Sequence, residues 1–325
     1  MGIKTLSAYV LSGILLLGTA FCLEAQAAYP DRPIKMITHT NPGGISDIGL
    51  RQVQQALTPI SPVPLVVENK VGGGGATSIA AMVSVRDPDY NIISVTNTHI
   101  TSMLTSNPPY TLNDLKPLAF IASEPLSIAV PASRPWKTIK EFFDDAKANP
   151  GKYSLGAAQV GSAAYIIGSN YKRQLGLDYA VVPFESVGEM VTAAAGDHID
   201  IIVCEPYTMT GQVKAGNLRI LSVFSPRRLS SIPDVPTIEE AGYDKSDVTK
   251  FRGFMVSKKI SPEAEKYMFD LFSTKLQAQP GYLKLLSDND QVPQVMNSDE
   301  FGKFLQTMIG ETKKSLDTLG LTKKQ

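Results

Sequence analysis

Cysteine and histidine are scarce in this chain, and net charge is absent. Two cysteines, Cys22 and Cys204, occur in 325 residues. Cys22 falls in a stretch that reads as an export signal, so the processed chain would keep one thiol and no internal disulfide. Stability must then come from a packed core, which the 43% hydrophobic content can supply. The three histidines, His39, His99 and His198, lack metal spacing such as His-Glu-x-x-His, so no zinc site is expected, and no cofactor. Lysine and arginine total 31 against 31 aspartates and glutamates, and no basic block is interleaved with aromatics. That balance speaks against a nucleic acid partner. No Gly-x-Ser-x-Gly elbow is present, and Cys204 has no histidine near it in sequence, so a nucleophile lacks its base.

What is present begins with residues 1–27. Lys4 supplies a positive start, residues 9–21 are apolar apart from Ser12 and Thr19, and Ala25-Gln26-Ala27 fits a small-x-small cleavage site. The run is short for a membrane span. Residues 17–22 loosely resemble a lipobox, but Phe21 before Cys22 is too bulky for one. Cleavage after Ala27 would leave 298 of the 325 residues, enough for one large or two medium α/β domains.

Short β-rich runs then alternate with helical stretches. Strands are expected at 34–38, 64–68, 91–96, 119–122, 127–131, 153–156, 179–183, 199–203, 219–224 and 251–256. Helices are expected at 47–57, 77–85, 138–148, 163–175, 187–195, 207–215, 262–278, 281–287 and 298–319. Ser261-Pro262 puts proline at the first helical position after a serine cap, and Ser298 repeats the cap. Asn149-Pro150-Gly151 and Ala215-Gly216-Asn217 are helix stops. The pattern predicts an α/β chain. Its length favours two lobes with the chain crossing between them twice, near 127–131 and 250–253.

The most informative stretch is Lys35 to Asp47, a strand, a polar turn with Pro42-Gly43-Gly44, and a helix start. Such a unit aims backbone N–H groups and a helix dipole at one spot, which suits an anion. Tyr29-Pro30-Asp31-Arg32-Pro33-Ile34, followed by Pro42-Gly43-Gly44 and Asp47, resembles the mature start of Bug-type solute-binding proteins of tripartite tricarboxylate transporters. The likeness continues through Val66-Val67-Glu68-Asn69-Lys70, Ala148-Asn149-Pro150-Gly151-Lys152, Lys214-Ala215-Gly216-Asn217-Leu218-Arg219 and Ile232-Pro233-Asp234-Val235-Pro236-Thr237. It spans nearly the whole mature chain in order.

The resemblance implies a type II periplasmic-binding fold of two α/β lobes joined by a two-segment hinge, with lobe 1 at 28–128 and 252–325 and lobe 2 at 129–251. It also implies a monomeric periplasmic binder without catalysis, taking a small carboxylate and handing it to membrane permease subunits. An exported sensor presenting its closed form to a signalling partner, or an exported hydrolase, are the other readings.

Site candidates follow from the same likeness. His39, Thr40, Asn41, Gly43, Gly44 and Asp47 form the first wall, and the first three depart from the family's proline–aromatic–small pattern. Thr96, Thr98 and His99 line a second loop, with helix capping by Thr98 as the plain alternative. Gln159, Gly161 and Ser162 make a counter-clamp before the helix at 163. Phe184 precedes Glu185-Ser186, where the family carries lysine–glycine. Glu205 places an acid where a serine is common, able to meet a ligand ammonium or a bridging metal, or to stand at a solvated rim. Gly72 to Gly75 lacks the Lys-Ser/Thr of a phosphate loop and reads as a turn packed against the neighbouring lobe.

Overall fold

The computed structural model describes residues 29–246 and 248–322. The expected export signal, with Lys4, Cys22 and Ala27, lies outside the described residues. Among these, the first half-chain runs β1 (Ile34–Thr38), α1 (Ile45–Leu57), β2 (Leu65–Asn69), α2 (Ala76–Val83), β3 (Asn91–Val95), α3 (Asn97–Ser106) and β4 (Leu115–Glu124). Then follow β5 (Leu126–Pro131), α4 (Ile139–Ala148), β6 (Tyr153–Ala158), α5 (Ala163–Gln174), β7 (Tyr179–Phe184), α6 (Val187–Ala195), β8 (Ile201–Cys204), α7 (Thr210–Lys214) and β9 (Leu218–Phe224). The chain closes with β10 (Lys250–Ser257), α8 (Pro262–Phe269), α9 (Pro280–Asp288), β11 (Val292–Met296) and α10 (Ser298–Thr318).

These strands form two sheets. The first has the order β11-β4-β10-β3-β1-β2 and the second β7-β6-β8-β5-β9. In the first, β1, β2 and β3 are parallel and joined by helices, and the late strand β10 enters antiparallel beside β3; in the second, β6, β7 and β8 are parallel, and β5, the first strand of that segment, lies antiparallel beside β8. Only Pro125 separates β4 from β5, so the chain leaves the first sheet and enters the second within one residue. It returns between β9 and β10. The expected divisions at 128/129 and 251/252 fall inside β5 and β10, because pairing assigns Leu126 onward to the second sheet and Lys250 onward to the first.

Local sequence explains the elements that position the site. Every residue of β3 is buried, as a central parallel strand covered on both faces requires. On β1, Ile34 and Met36 meet the face covered by Leu50, Val53 and Leu57 of α1, while Ile37 joins the opposite core. Helix α10 packs on β4, α3 and α5, with Phe301, Leu305 and Leu316 buried in a cluster that also holds Tyr153 and Ile166. Asn170 Nδ2 donates to Ser315 Oγ at 3.0 Å. The last helix therefore belongs to the first sheet by packing and touches the second lobe by its end.

Helix α3, strand β11 and the cap of α10 are among the departures from the expected string. Helix α3 lies where the sequence reading gives no helix: Thr, Ser and Asn favour caps and turns, and packing of Ile100 overrides that. Strand β11 contains Pro293 and sits at the sheet edge, where a missing N–H is tolerated. Asn297, not Ser298, caps α10, in a reciprocal box with Glu300.

Strand β10 carries Gly253 where a Cβ would lie 2.3 Å from Phe301 Cζ. Phe301 is fully buried and edge-on to Phe120 and Phe251. Gly253→Ala is expected to cost about 1–3 kcal/mol by overpacking, and Phe301→Leu in the same chain to restore part of it. Urea unfolding of the two variants checks this; an unchanged midpoint for Gly253→Ala would contradict it.

Candidate functional site

The first loop is built around Asp47. Its carboxylate accepts the Gly43 N–H at 2.8 Å and Asn69 Nδ2 at 2.8 Å, and pairs with Arg51 Nε at 3.0 Å. Asn69 also donates to the Thr40 carbonyl at 2.8 Å, and Asp47 N–H donates to Thr40 Oγ1 at 3.1 Å. Asp47 is 1% exposed. Burial raises its carboxyl pKa, but Arg51, Gly43 and Asn69 outweigh that and hold it below the usual carboxylate range. Asp47 thus fixes the loop rather than facing a ligand.

The same bonds move the anion donors. Gly43 N–H is taken by Asp47, and Gly44 N–H donates to Asn41 O at 2.9 Å. The N–H groups of Ile45 and Ser46 have no hydrogen-bond partner among the described residues, so the free donors lie at the first turn of α1, one or two residues beyond the glycines. Asn41 is exposed beside them.

The second loop follows β3. Thr96 is the N-cap of α3, displacing Thr98, which is exposed. His99 is fully buried and stacks edge-on against His39 at 4.4 Å. Its Nδ1 accepts Thr96 N–H at 3.3 Å, so Nε2 carries the proton and meets Ser78 Oγ at 3.3 Å, while Ser78 Oγ donates to Gly75 O. A Cβ on Gly75 would lie 2.5 Å from His99 Cδ2, and Ser102 Oγ donates to Gly73 O. The glycine turn therefore packs on α3 of its own lobe, not on the neighbouring one. Burial lowers the His39 pKa to about 4, with Arg252 adding repulsion, and burial lowers His99 well below its ordinary value.

In the second lobe, Ser162 caps α5, accepting Tyr165 N–H at 3.1 Å and donating to Ala158 O at 3.0 Å. Ser162 N–H donates to Gln159 O at 3.0 Å. The N–H groups of Ala163 and Ala164 have no hydrogen-bond partner among the described residues. Gly161 has φ +81, matching Gly43 at +82 in the first loop. Its carbonyl accepts Thr101 Oγ1 at 2.8 Å, which docks this loop on α3. Gln159 is exposed. Phe184 ends β7 opposite Ala158, next to the Gln159–Ser162 loop, with its ring beside Gly156 in the cluster of Met190 and Ile202.

Glu205 follows β8 and is 4% exposed. Its carboxylate pairs with Lys250 of β10, which also reaches Glu124 Oε2 at 3.0 Å. Glu124, the last residue of β4, binds Arg252 Nε and accepts Gln291 Nε2 at 2.6 Å. Burial would raise Glu124, but Arg252 and Lys250 bring it to about 2. Tyr207 stands next to the group, its phenol pushed up to about 12 by burial and by Glu205 and Glu124. The cation expected for Glu205 in a ligand is thus supplied by the chain. Lys250, Arg252 and Glu124 escaped the sequence reading. Their signal was a charged pair two apart, on one face of the buried strand Lys-Phe-Arg-Gly-Phe-Met-Val.

Two α/β lobes joined by paired crossings, each offering a capped helix start, define a two-lobed solute-binding protein. Residues 50–321 match the tripartite tricarboxylate transporter family receptor pattern. The chain is 29% identical over 310 residues to the UPF0065 protein in the gbd 5'region of Cupriavidus necator, covering 93% of this chain and 92% of that one. It is 26% identical to Protein BugT of Bordetella pertussis, over 72% of this chain and 73% of that one. Its fold matches a TctC solute binding protein from Polaromonas with TM-score 0.79, at 24% identity over 90% of this chain and all of that one. R. palustris Rpa4515, solved with adipate, matches at TM-score 0.75 and 19% identity, over 90% of this chain and 99% of that one. The chain belongs to the Bug-type receptors of the tripartite tricarboxylate transporter family.

The neutral histidine pair makes acid the weak side of this fold. Between pH 6.5 and about 4 the unfolded chain binds a proton at His39 that the folded chain refuses. Unfolding is therefore favoured as pH falls through that window, by on the order of 3 kcal/mol at its lower end. Glu124 contributes nothing to that slope until pH drops below the ordinary glutamate range. Melting temperature is expected to fall from pH 7 to pH 4.5, and less steeply in His39→Asn. Equal slopes in the two proteins would remove His39 from the account.

Proposed function

We propose that this protein captures a small carboxylate in the cleft between its lobes, in the periplasm, and delivers it to a membrane permease. The observation that carries the reading is the pair of helix starts. Ile45 and Ser46 on α1, and Ala163 and Ala164 on α5, offer N–H groups with no hydrogen-bond partner among the described residues. Such donors, with the positive ends of two helix dipoles, accept a carboxylate without a full countercharge. They stand on opposite sides of the two crossings, so a ligand touching both favours the closed arrangement and closure follows from differential affinity. Asn41, Thr98 and Gln159, exposed around these loops, are the side chains left to choose among ligands. The adipate-bound relative fits the same chemistry at the level of a shared fold.

Binding without turnover is part of the proposal. The one described cysteine, Cys204, is 1% exposed, and burial pushes its thiol up to about 12, the reverse of what a nucleophile needs. Export to the periplasm needs the expected export signal and cleavage after Ala27, which intact-mass analysis of periplasmic material would detect.

A thermal-shift panel of mono-, di- and amino-carboxylates on the processed protein tests the reading. A ligand at about 100 times its Kd adds about 2.7 kcal/mol, a shift of several degrees. At least one small carboxylate is expected to give it, with no product formed over hours. A silent panel together with steady hydrolysis of an ester series would overturn the proposal.

A further inference from the structure

We infer that Arg252, with the hydroxyls of Thr38 and Thr96, forms a recessed position for a ligand carboxylate beneath the first turns of α1, and that this position gives the cleft its preference for a second acidic group. This rests on the binding function proposed above and goes beyond the two helix starts.

Three adjacent strands carry the groups. Strands β10, β3 and β1 are neighbours in that order. Phe254, Ile92 and Met36 share the face covered by α1. By the two-residue alternation of strands, Arg252 and Thr38 continue that face, and Thr96 continues it two residues past Ser94. Gly253 pairs with Val95, which puts Arg252 level with Thr96. All three stand at the carboxyl ends of β1 and β3, the end at which open α/β sheets take ligands.

Each brings an unused hydrogen-bonding group. Thr38 is fully buried and Thr96 is 8% exposed, yet Thr38 Oγ1 and Thr96 Oγ1 have no hydrogen-bond partner among the described residues. Buried hydroxyls of this kind are uncommon and costly unless something meets them. Arg252 is 8% exposed and spends only Nε, on Glu124. Its two terminal nitrogens, the fork that recognises a carboxylate in two parallel bonds, have no hydrogen-bond partner among the described residues. Room for that fork comes from Gly49 of α1, where a Cβ would lie 2.5 Å from Nη1. Any larger residue there would press on the guanidinium.

Charge accounting points the same way. Glu205 is neutralised by Lys250, and Glu124 is shared by Lys250 and Arg252. No carboxylate of this cluster is left for a ligand ammonium, whereas Arg252 keeps donors for an anion. A dicarboxylate would place one acidic group at the helix starts and the other at Arg252. A monocarboxylate would use only one of the two positions.

Thr38→Val and Arg252→Lys test this by calorimetric titration with malonate, succinate, glutarate and adipate, against acetate and butyrate, in chloride-free buffer. Because the Thr38 hydroxyl has no partner in the chain, Thr38→Val should leave the melting temperature of the ligand-free protein unchanged or raised. It should nonetheless weaken the best dicarboxylate at least fivefold. Arg252→Lys keeps the charge and loses the fork, and is expected to weaken dicarboxylates at least tenfold while changing any monocarboxylate less than threefold. Wild-type binding with Thr38→Val and Arg252→Lys both unchanged in affinity overturns the inference and leaves the binding function standing. Dicarboxylate affinity unchanged in the variants, with chloride alone stabilising the wild type and not Thr38→Val, assigns the position to a free inorganic anion and also overturns it. A wild type that binds none of the six acids overturns both.

Discussion

Four charges at the crossing between the lobes, three of them buried and Lys250 partly so, constrain everything else. Glu124 ends β4, Lys250 and Arg252 lie on β10, and Glu205 follows β8 of the other sheet. Removing such groups from water costs several kcal/mol each, and their mutual attraction offsets it only where every partner is present. Here each has one: Lys250 bridges both glutamates, Arg252 and Gln291 share Glu124. The group also spans the lobes, since Glu205 belongs to the second and its cation to a strand of the first. Asn97 adds a neutral tie, accepting Phe251 N–H at 3.1 Å and donating to Thr249 O at 2.9 Å, so the start of α3 is locked to the same strand.

From that fixed seam the two binding loops extend on stiff supports. Asp47 consumes the polar atoms of the first loop, Ser162 caps the second, and α3 carries His99 on one side and Thr101 against Gly161 on the other. Unpartnered near these loops, among the described residues, are the helix-start amides on both sides, the Thr38 and Thr96 hydroxyls, His39 Nδ1 and the outer nitrogens of Arg252. Polar groups left over in an otherwise satisfied interior are where a ligand would be felt most. The histidine pair reinforces this by staying neutral, which leaves the Arg252 guanidinium, paired through Nε with Glu124, as a cation with free donors beside the loops.

Much of this was legible in the residues, and the failures share a cause. The alternation of strands and helices, the cap at Ser261, and the helix stops at Asn149-Pro150-Gly151 and Ala215-Gly216-Asn217 read correctly because they depend on local chemistry. Helix α3 and strand β11 did not, because their local preferences oppose the structure and long-range packing decides. The site followed the same rule. The loop at Pro42-Gly43-Gly44 was visible, yet which amides stay free depended on Asn69 reaching Asp47 from a different strand. Glu205 looked like a ligand's partner because Lys250 is 45 residues away in sequence. Arg252 was passed over inside an apolar strand, although a charged residue there can persist only if paired.

The crossing is held by a mutually dependent set of charges rather than by independent surface pairs. Unfolding free energies of Glu124→Gln, Lys250→Met with Arg252→Met, and the triple variant test it most directly. Glu124→Gln alone is expected to cost about 3–5 kcal/mol, as when a buried ion pair loses one partner. The triple variant should then be clearly more stable than the sum of its parts, with a coupling of about 1–3 kcal/mol. Additive losses, or a Glu124→Gln cost below about 1 kcal/mol, the range of exposed pairs, would contradict it.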